Sequence, residues 1–339
     1  MAIPLFRLPI LVIQLILETI GFIDIFVLTS VSSKTKRIFK NLVTVKNHEM
    51  HIVMGKKENF FTFQRRLNPG FFEHFYSESR KRHPKKVFFL KIDTIDQVPP
   101  EFSPAEDGAA ALTTYWSKNN IHGAMLHNAL IELFELPVKR IKMDLTGVAV
   151  DTHRGWINWF NETLSAAFIL EIMGECNFSD FVWILENVKT EKTLIFQIEA
   201  TDYSDTFESS NINFTFKAKT VAIIDRRWIK SDHLKSIEAR SVSLFKISLT
   251  DSQVNLFLRD WKDLKEAFNM KQLIIFFERE ADPEVVLAEM NATNEDMMKP
   301  DHVLNQWSFK MASGEKCTVT YAELNVDVPT FGFEFKVGN

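Results

Sequence analysis

The chain has 339 residues, 46% of them hydrophobic and 25% charged, with a formal net charge of −4. That balance excludes a disordered chain and gives no electrostatic footing for nucleic-acid binding, while the length admits a small module plus one larger domain. Phenylalanine is the outlying residue, 31 against 4 tyrosines, and its runs (NFFTF, VFFL, IIFF, FGFEF) suit packed strands, where aromatic side chains fit a pleated surface.

The first element is a helix that is apolar on nearly every side: ILVIQLIL, residues 10–17, is interrupted only by Gln14. Helical spacing sets Leu8, Leu11 and Leu15 on one face and Val12, Ile16, Thr19 and Ile20 on another. Gln14, Glu18 and Asp24 break the roughly 18 uninterrupted apolar residues that a spanning helix needs. A lone Arg7 and the lack of a small-x-small site argue against a secretion signal. Gly21 suits a helix C-cap, and Asp24 then suits the N-cap of a second short helix through Ile25, Phe26, Leu28 and Val31. Ser32 or Ser33 suits the cap of a third, KTKRIFKNL. So few residues bury too little apolar surface to be stable alone, so the surplus apolar face needs a partner.

These residues resemble an F-box. The resemblance rests on Leu8-Pro9, Val12 and Ile13, Ile16-Leu17, Asp24, Ile25-Phe26, Leu28, Val31-Ser32 and Lys34 to Arg37. Phe22 departs from it, standing where many members have the Pro that starts the second helix. The resemblance implies an F-box over residues 4–45 that docks a Skp-family adaptor, and through it cullin and RING subunits. Leu8, Pro9, Val12, Ile16, Leu17, Ile25 and Leu28 are the expected docking residues. The remainder, 46–339, is then expected to present a protein substrate for ubiquitin transfer, with no catalysis by this chain.

From His48 the texture changes to short strands, HIVM, FFTFQ and VFFLKI, the last preceded by the basic run Arg80 to Lys86, which reads as a solvated loop. Residues 96–110, DQVPPEFSPAEDGAA, read as a Pro-rich surface loop. IKMDLTGVAV reads as a strand and residues 155–173, GWINWFNETLSAAFILEIM, as one amphipathic helix. Strand candidates then start near Leu194, Val221, Val242 and Leu273. Thr250 with Gln253 forms a capping box, and Asp282-Pro283 an N-cap with Pro at the first helical position. A hairpin around Ser313-Gly314 and a last strand, TFGFEFKV, close the chain.

The overall expectation is an α+β or α/β chain: the three-helix module, then a larger α/β domain. Its strand spacing of about 20 to 30 residues lies in the leucine-rich-repeat range, with a compact non-repetitive domain as the other reading. Within 178–262 a second resemblance arises. HLKSIEARSVSLFKISLTDSQVNLFLRDW is similar to the type-2 F-box-associated region of nematode-type F-box proteins, carried by Leu234, Ile237, Val242, Leu244, Leu249, Thr250-Asp251, Val254-Asn255, Phe257-Leu258 and Trp261. It departs after Trp261, where KDLKEAFNMKQL replaces a Gly-Ser-Asn-Pro turn.

Chemistry is otherwise sparse. There is no phosphate-cradle, dinucleotide, nucleophile-elbow or zincin motif. Cys176 and Cys317 stand apart with no zinc spacing, and His48/His51 and His122/His127 lack an acidic partner at ligand spacing. Trp156 and Trp159 read as core. Asn161, Asn177, Asn213 and Asn291 begin sequon triplets that matter only in a secreted chain. The expectation is a non-enzymatic substrate receptor without cofactor or metal, cytoplasmic or nuclear, bound neither to membrane nor to nucleic acid. The alternative is an interaction protein that binds the adaptor without directing ubiquitination.

Overall fold

The computed structural model describes residues 7–42, 48–56, 59–65, 68–78, 90–92, 95–98, 100–105, 109–115, 121–164, 167–202, 214–224, 228–263, 269–277, 279–295, 303–324 and 330–338. The chain divides into two compact units, 1–144 and 145–339. The basic run Arg80 to Lys86 and His122's side chain lie outside what is described.

The first unit opens with α1 (Ile10–Thr19), α2 (Phe22–Val31) and α3 (Ser33–Leu42). Then come β1 (His48–Met54), β2 (Asn59–Arg65), β3 (Asn68–Glu78), β4 (Leu90–Ile92), β5 (Ile95–Val98), β6 (Pro100–Pro104), β7 (Ala110–Tyr115), α4 (Ile121–Phe134) and β8 (Val138–Asp144). Strand neighbours run β8–β1–β2–β3–β7–β6, with β1–β8 and β3–β7 parallel and the other pairs antiparallel. Alternation puts Met50, Ile52 and Met54 of β1 on the buried side, as a half-covered strand requires. Leu126, Leu130, Leu133 and Phe134 give α4 a buried stripe, and α4 packs on β2, β3, β4 and α3.

Residues 96–110 are not the expected loop: they hold the end of β5, all of β6 and the start of β7. Their prolines mislead because proline is excluded only from central strands. Pro100 and Pro104 bound β6, whose one strand neighbour among the described residues is β7. The Tyr115 hydroxyl donates to the Glu101 carboxylate across that pair.

The second unit contains α5 (Val150–Thr163), β9 (Ile169–Cys176), α6 (Phe178–Asn187), β10 (Thr193–Ala200), β11 (Thr220–Ile224), α7 (Ser231–Leu234), β12 (Ser241–Phe245), α8 (Asp251–Asp263) and β13 (Gln272–Phe277). It ends with α9 (Pro283–Val286), β14 (Thr293–Asn294), β15 (Val303–Lys310), β16 (Lys316–Leu324) and β17 (Thr330–Val337). Strands β9 to β13 pair side by side in chain order and all in parallel. An antiparallel run β13–β17–β16–β15–β14 follows. The strand starts expected near Leu194, Val221, Val242 and Leu273 are those of β10 to β13.

The helix expected over 155–173 is two elements, because α5 begins earlier and stops at Thr163 and Ile169 to Met173 belong to β9. Leu170 and Ile172 are fully buried there, and β9 runs in register with β10 from Ile169 to Cys176. An apolar run that continues a helical pattern cannot be told from a buried strand by periodicity alone.

Caps in this unit follow the sequence signals. Thr250 N–H donates to Gln253 Oε1 at 2.9 Å and Gln253 N–H to Thr250 Oγ1 at 3.2 Å, and Asp282 Oδ1 accepts from Glu284 N–H at 2.9 Å. Buried Asn255 on α8 acts across elements instead. Its Nδ2 donates to the carbonyls of Val286 at 3.0 Å and Ala288 at 2.8 Å, satisfying the end of α9. Asn255→Leu keeps the volume but strands two carbonyls, so it is expected to cost about 2 to 3 kcal/mol by urea unfolding. A loss below about 0.5 kcal/mol would mean water replaces the amide without penalty.

Candidate adaptor-docking site

The site is built on the three N-terminal helices, and its geometry is decided by what α2 does. Its N-cap is Gly21, not Asp24, which lies one turn in as a first-turn acid. Gly21 offers no side chain, so the cap comes from another element: the Phe22 N–H donates to the carboxylate of Glu73 on β3. That exchange places a carboxylate at the positive end of the helix. It also explains the glycine, since a Cβ on residue 21 would lie 1.9 Å from Glu73 Oε1.

Glu73 is 4% exposed. Burial pushes its carboxyl above the ordinary carboxylate range, Asp24's charge pushes the same way, and hydrogen bonds from Phe22 and Ile23 oppose. The folded state therefore holds this proton to a higher pH than the unfolded chain does. Stability from the group is complete below the unfolded value, about pH 4, and is lost as pH rises through the raised folded value. Glu73→Gln is expected to gain stability relative to the native chain as pH rises from about 4 to 7, read by urea unfolding at each pH. A native chain that instead gains on the variant would reverse the assignment. Gly21→Ala displaces the carboxylate from the cap, with an expected cost of about 1 to 2 kcal/mol that is not additive with Glu73→Ala.

With that anchor α2 lies against β3, β4 and β7. Ile23, Ile25 and Phe26 are buried, and Phe26 meets Phe75 edge-on at 5.5 Å. Helix α3 packs on both α1 and α2, burying Phe39 completely. It starts on Ser32, whose carbonyl accepts from Lys36 N–H at 2.9 Å. Lys36–Glu132 at 2.7 Å and Lys40–Glu135 at 3.5 Å tie it to the C-terminal end of α4, but such exposed pairs contribute little.

Helix α1 is left with one covered side. Ile13 and Leu17, one turn apart, are buried, whereas Ile10, Leu11, Val12 and Leu15 are 62%, 71%, 38% and 62% exposed. Pro9 sits at the N-cap, where its missing N–H costs nothing, and its carbonyl accepts from Val12 N–H at 2.9 Å and Ile13 N–H at 3.1 Å.

The seven expected docking residues are thus divided. Pro9, Val12 and Leu28 are exposed, Leu8 and Ile16 are half-buried, and Leu17 and Ile25 belong to the unit's own core. Leu17 is placed there by its i+4 relation to Ile13, and Ile25 by the face that α2 turns to the sheet. Ile10, Leu11 and Leu15, absent from the expected set, are the most exposed apolar side chains of α1. Among the described residues no helix is long and apolar enough to cross a membrane.

Several buried titratable side chains among the described residues pack as structure. Cys176 and Cys317 are buried free thiols, each pushed up to about 12 by burial, Cys176 also by Asp180 and Asp202. His127 is lowered to about 4 by burial. The buried Asp180 receives Arg154 at 3.1 Å and holds His153 Nδ1 at 3.9 Å, joining α5 to α6.

Comparison with protein families matches residues 5–46 to the F-box domain. No curated protein and no solved structure matches the chain. The match contains α1 to α3, whose first helix leaves an apolar side uncovered, and F-box domains bind Skp-type adaptors.

Proposed function

We propose that this chain is a non-catalytic substrate receptor of a Skp–cullin–F-box ubiquitin ligase, acting in the cytoplasm or nucleus. The observation that carries the reading is the uncovered apolar side of α1 within the F-box match. Its docking face comprises Pro9, Ile10, Leu11, Val12, Leu15 and Leu28, rimmed by Leu8 and Ile16, while Leu17 and Ile25 hold the helices in place from beneath. Burying a large aliphatic side chain contributes about 1.5 to 3 kcal/mol, so this set exceeds the cost of association. Burial supports this division of labour: a residue already inside the unit gains nothing from a partner.

Residues 46–339 are proposed to carry the substrate. Two observations favour a type-2 F-box-associated region of repeat-like design. The parallel strands β9 to β13 follow chain order. In the phrase 233–261, Leu234, Ile237, Val242, Leu244, Leu249, Val254, Phe257, Leu258 and Trp261 are all buried, so the phrase reads as a packing pattern around β12 and α8.

The test is reconstitution: the full chain co-expressed with a Skp-type adaptor, then joined to cullin and RING subunits and to partners recovered by proximity labelling under proteasome inhibition. A stable adaptor complex and ubiquitin transfer that depends on this chain are expected. An adaptor complex without any transfer would replace the reading with that of an interaction protein.

A further inference from the structure

The charges that flank α1 oppose the helix they flank. A helix favours acids at its N-terminus and bases at its C-terminus, yet α1 has no acid in its first turn and no base in its last. Exposed Arg7 instead stands just ahead of its start, and exposed Glu18 lies in its last turn. Among the described residues neither has an ion-pair partner. Glu18 also continues the apolar stripe of the helix. Leu11, Leu15 and Glu18 follow i, i+4 and i+7 and so share one face, and the two leucines are 71% and 62% exposed.

That order of side chains is self-complementary. A two-fold axis midway between Leu11 and Leu15 sets Leu11 opposite the partner's Leu15 and Leu15 opposite the partner's Leu11. The same antiparallel register carries Arg7 to the end of the second helix where the partner's Glu18 lies, a span that two long side chains bridge. Each charge that opposes its own helix dipole then complements that of the other copy. The contact is closed, because the same patch is used on both sides.

We propose that the free chain pairs with a second copy of itself through antiparallel α1 helices, and that this pairing masks the docking face until an adaptor displaces it. The inference rests on the adaptor-docking reading of α1 and adds its regulation. A second copy fits because its α1 offers apolar side chains flanked by both opposite charges in matching order. The pair is weak by its size. Four exposed aliphatic side chains, Ile10, Leu11, Val12 and Leu15, fall well short of the roughly 20 to 30 residues a side of a standard interface. A dissociation constant on the order of 10 μM is expected, which lets a tighter-binding adaptor take over the face.

The experiment is sedimentation equilibrium of the full chain at low salt, from about 1 to about 200 μM so that the expected constant is bracketed. A monomer–dimer equilibrium that weakens with added salt is expected. Arg7→Glu and Glu18→Arg should each weaken it about ten-fold, because the two-fold turns both ion pairs into like-charge contacts at once. The chain carrying both changes should return to within about three-fold of the native constant, as a paired interaction requires. Purified Skp-type adaptor should convert the dimer into a one-to-one complex. A native chain that stays monomeric, species larger than the dimer, or no recovery in the double variant would overturn the self-pairing, and adaptor binding by that same chain would leave the docking reading standing. A dimer that binds adaptor without dissociating would overturn the masking. A dimer to which no adaptor binds would instead overturn the docking reading on which the masking rests.

Discussion

The full chain carrying Leu11→Asp and Leu15→Asp is expected to lose at least about 100-fold in affinity for its Skp-type adaptor while unfolding at the same urea concentration as the native chain. Both side chains are exposed, at 71% and 62%, so neither supports the fold, and surface changes of this kind stay within about 0.5 kcal/mol. Both lose an apolar contribution of about 1.5 to 3 kcal/mol each on docking, and a buried, unpaired carboxylate adds a desolvation penalty. At about 1.4 kcal/mol per decade the sum exceeds two decades. Leu17→Asp serves as the contrast, because Leu17 is 5% exposed and its loss should appear in unfolding first. Calorimetry with purified adaptor reads the affinity. Native-like binding by the double variant would move the docking face off α1.

How far the sequence announces this site depends on which neighbour each residue meets. Leu8-Pro9 and the apolar spacing that follows mark the helix and its need for a partner, because those signals are local. Which apolar residues stay uncovered is not local. Leu17 and Ile25 fit the pattern of a docking motif as well as Leu15 or Leu28 do, and only the packing of α2 and α3 assigns them inward. Gly21 as the start of α2 is illegible for the same reason, since the carboxylate that caps the helix, Glu73, is 51 residues beyond Phe22. In the second unit the regular strand starts and the side-chain caps at Thr250 and Asp282 are legible because each is written within four residues. The loop expected over 96–110 shows the opposite limit, where edge position converts a proline-bounded segment into a strand.

Phe22→Pro is expected to destabilise the first unit more than Phe22→Ala, although proline at a first helical position is ordinarily favourable and many F-box sequences place it here. Phe22 has two attachments that a proline cannot make. Its ring lies 4.8 Å from His48, 4.8 Å from Phe63 and 4.9 Å from Phe134, joining α2 to β1, β2 and α4. Emptying that site costs about 3 to 5 kcal/mol in either variant. Its N–H is one of two backbone donors to buried Glu73, beside that of Ile23, and removing it adds about 1 to 3 kcal/mol for the carboxylate left without that partner. The gap between the two variants should therefore close when both are placed in a Glu73→Ala background, a double-mutant cycle that isolates the N–H from the ring. Urea unfolding combined with hydrogen exchange at the α2 amides reads the result. A Pro–Ala gap of the same size with and without Glu73 would show that proline's own backbone restriction, not the cap, sets the penalty. Closure of the gap would explain why this chain departs from the F-box pattern at this position: the second helix is started by a carboxylate from the sheet beneath it.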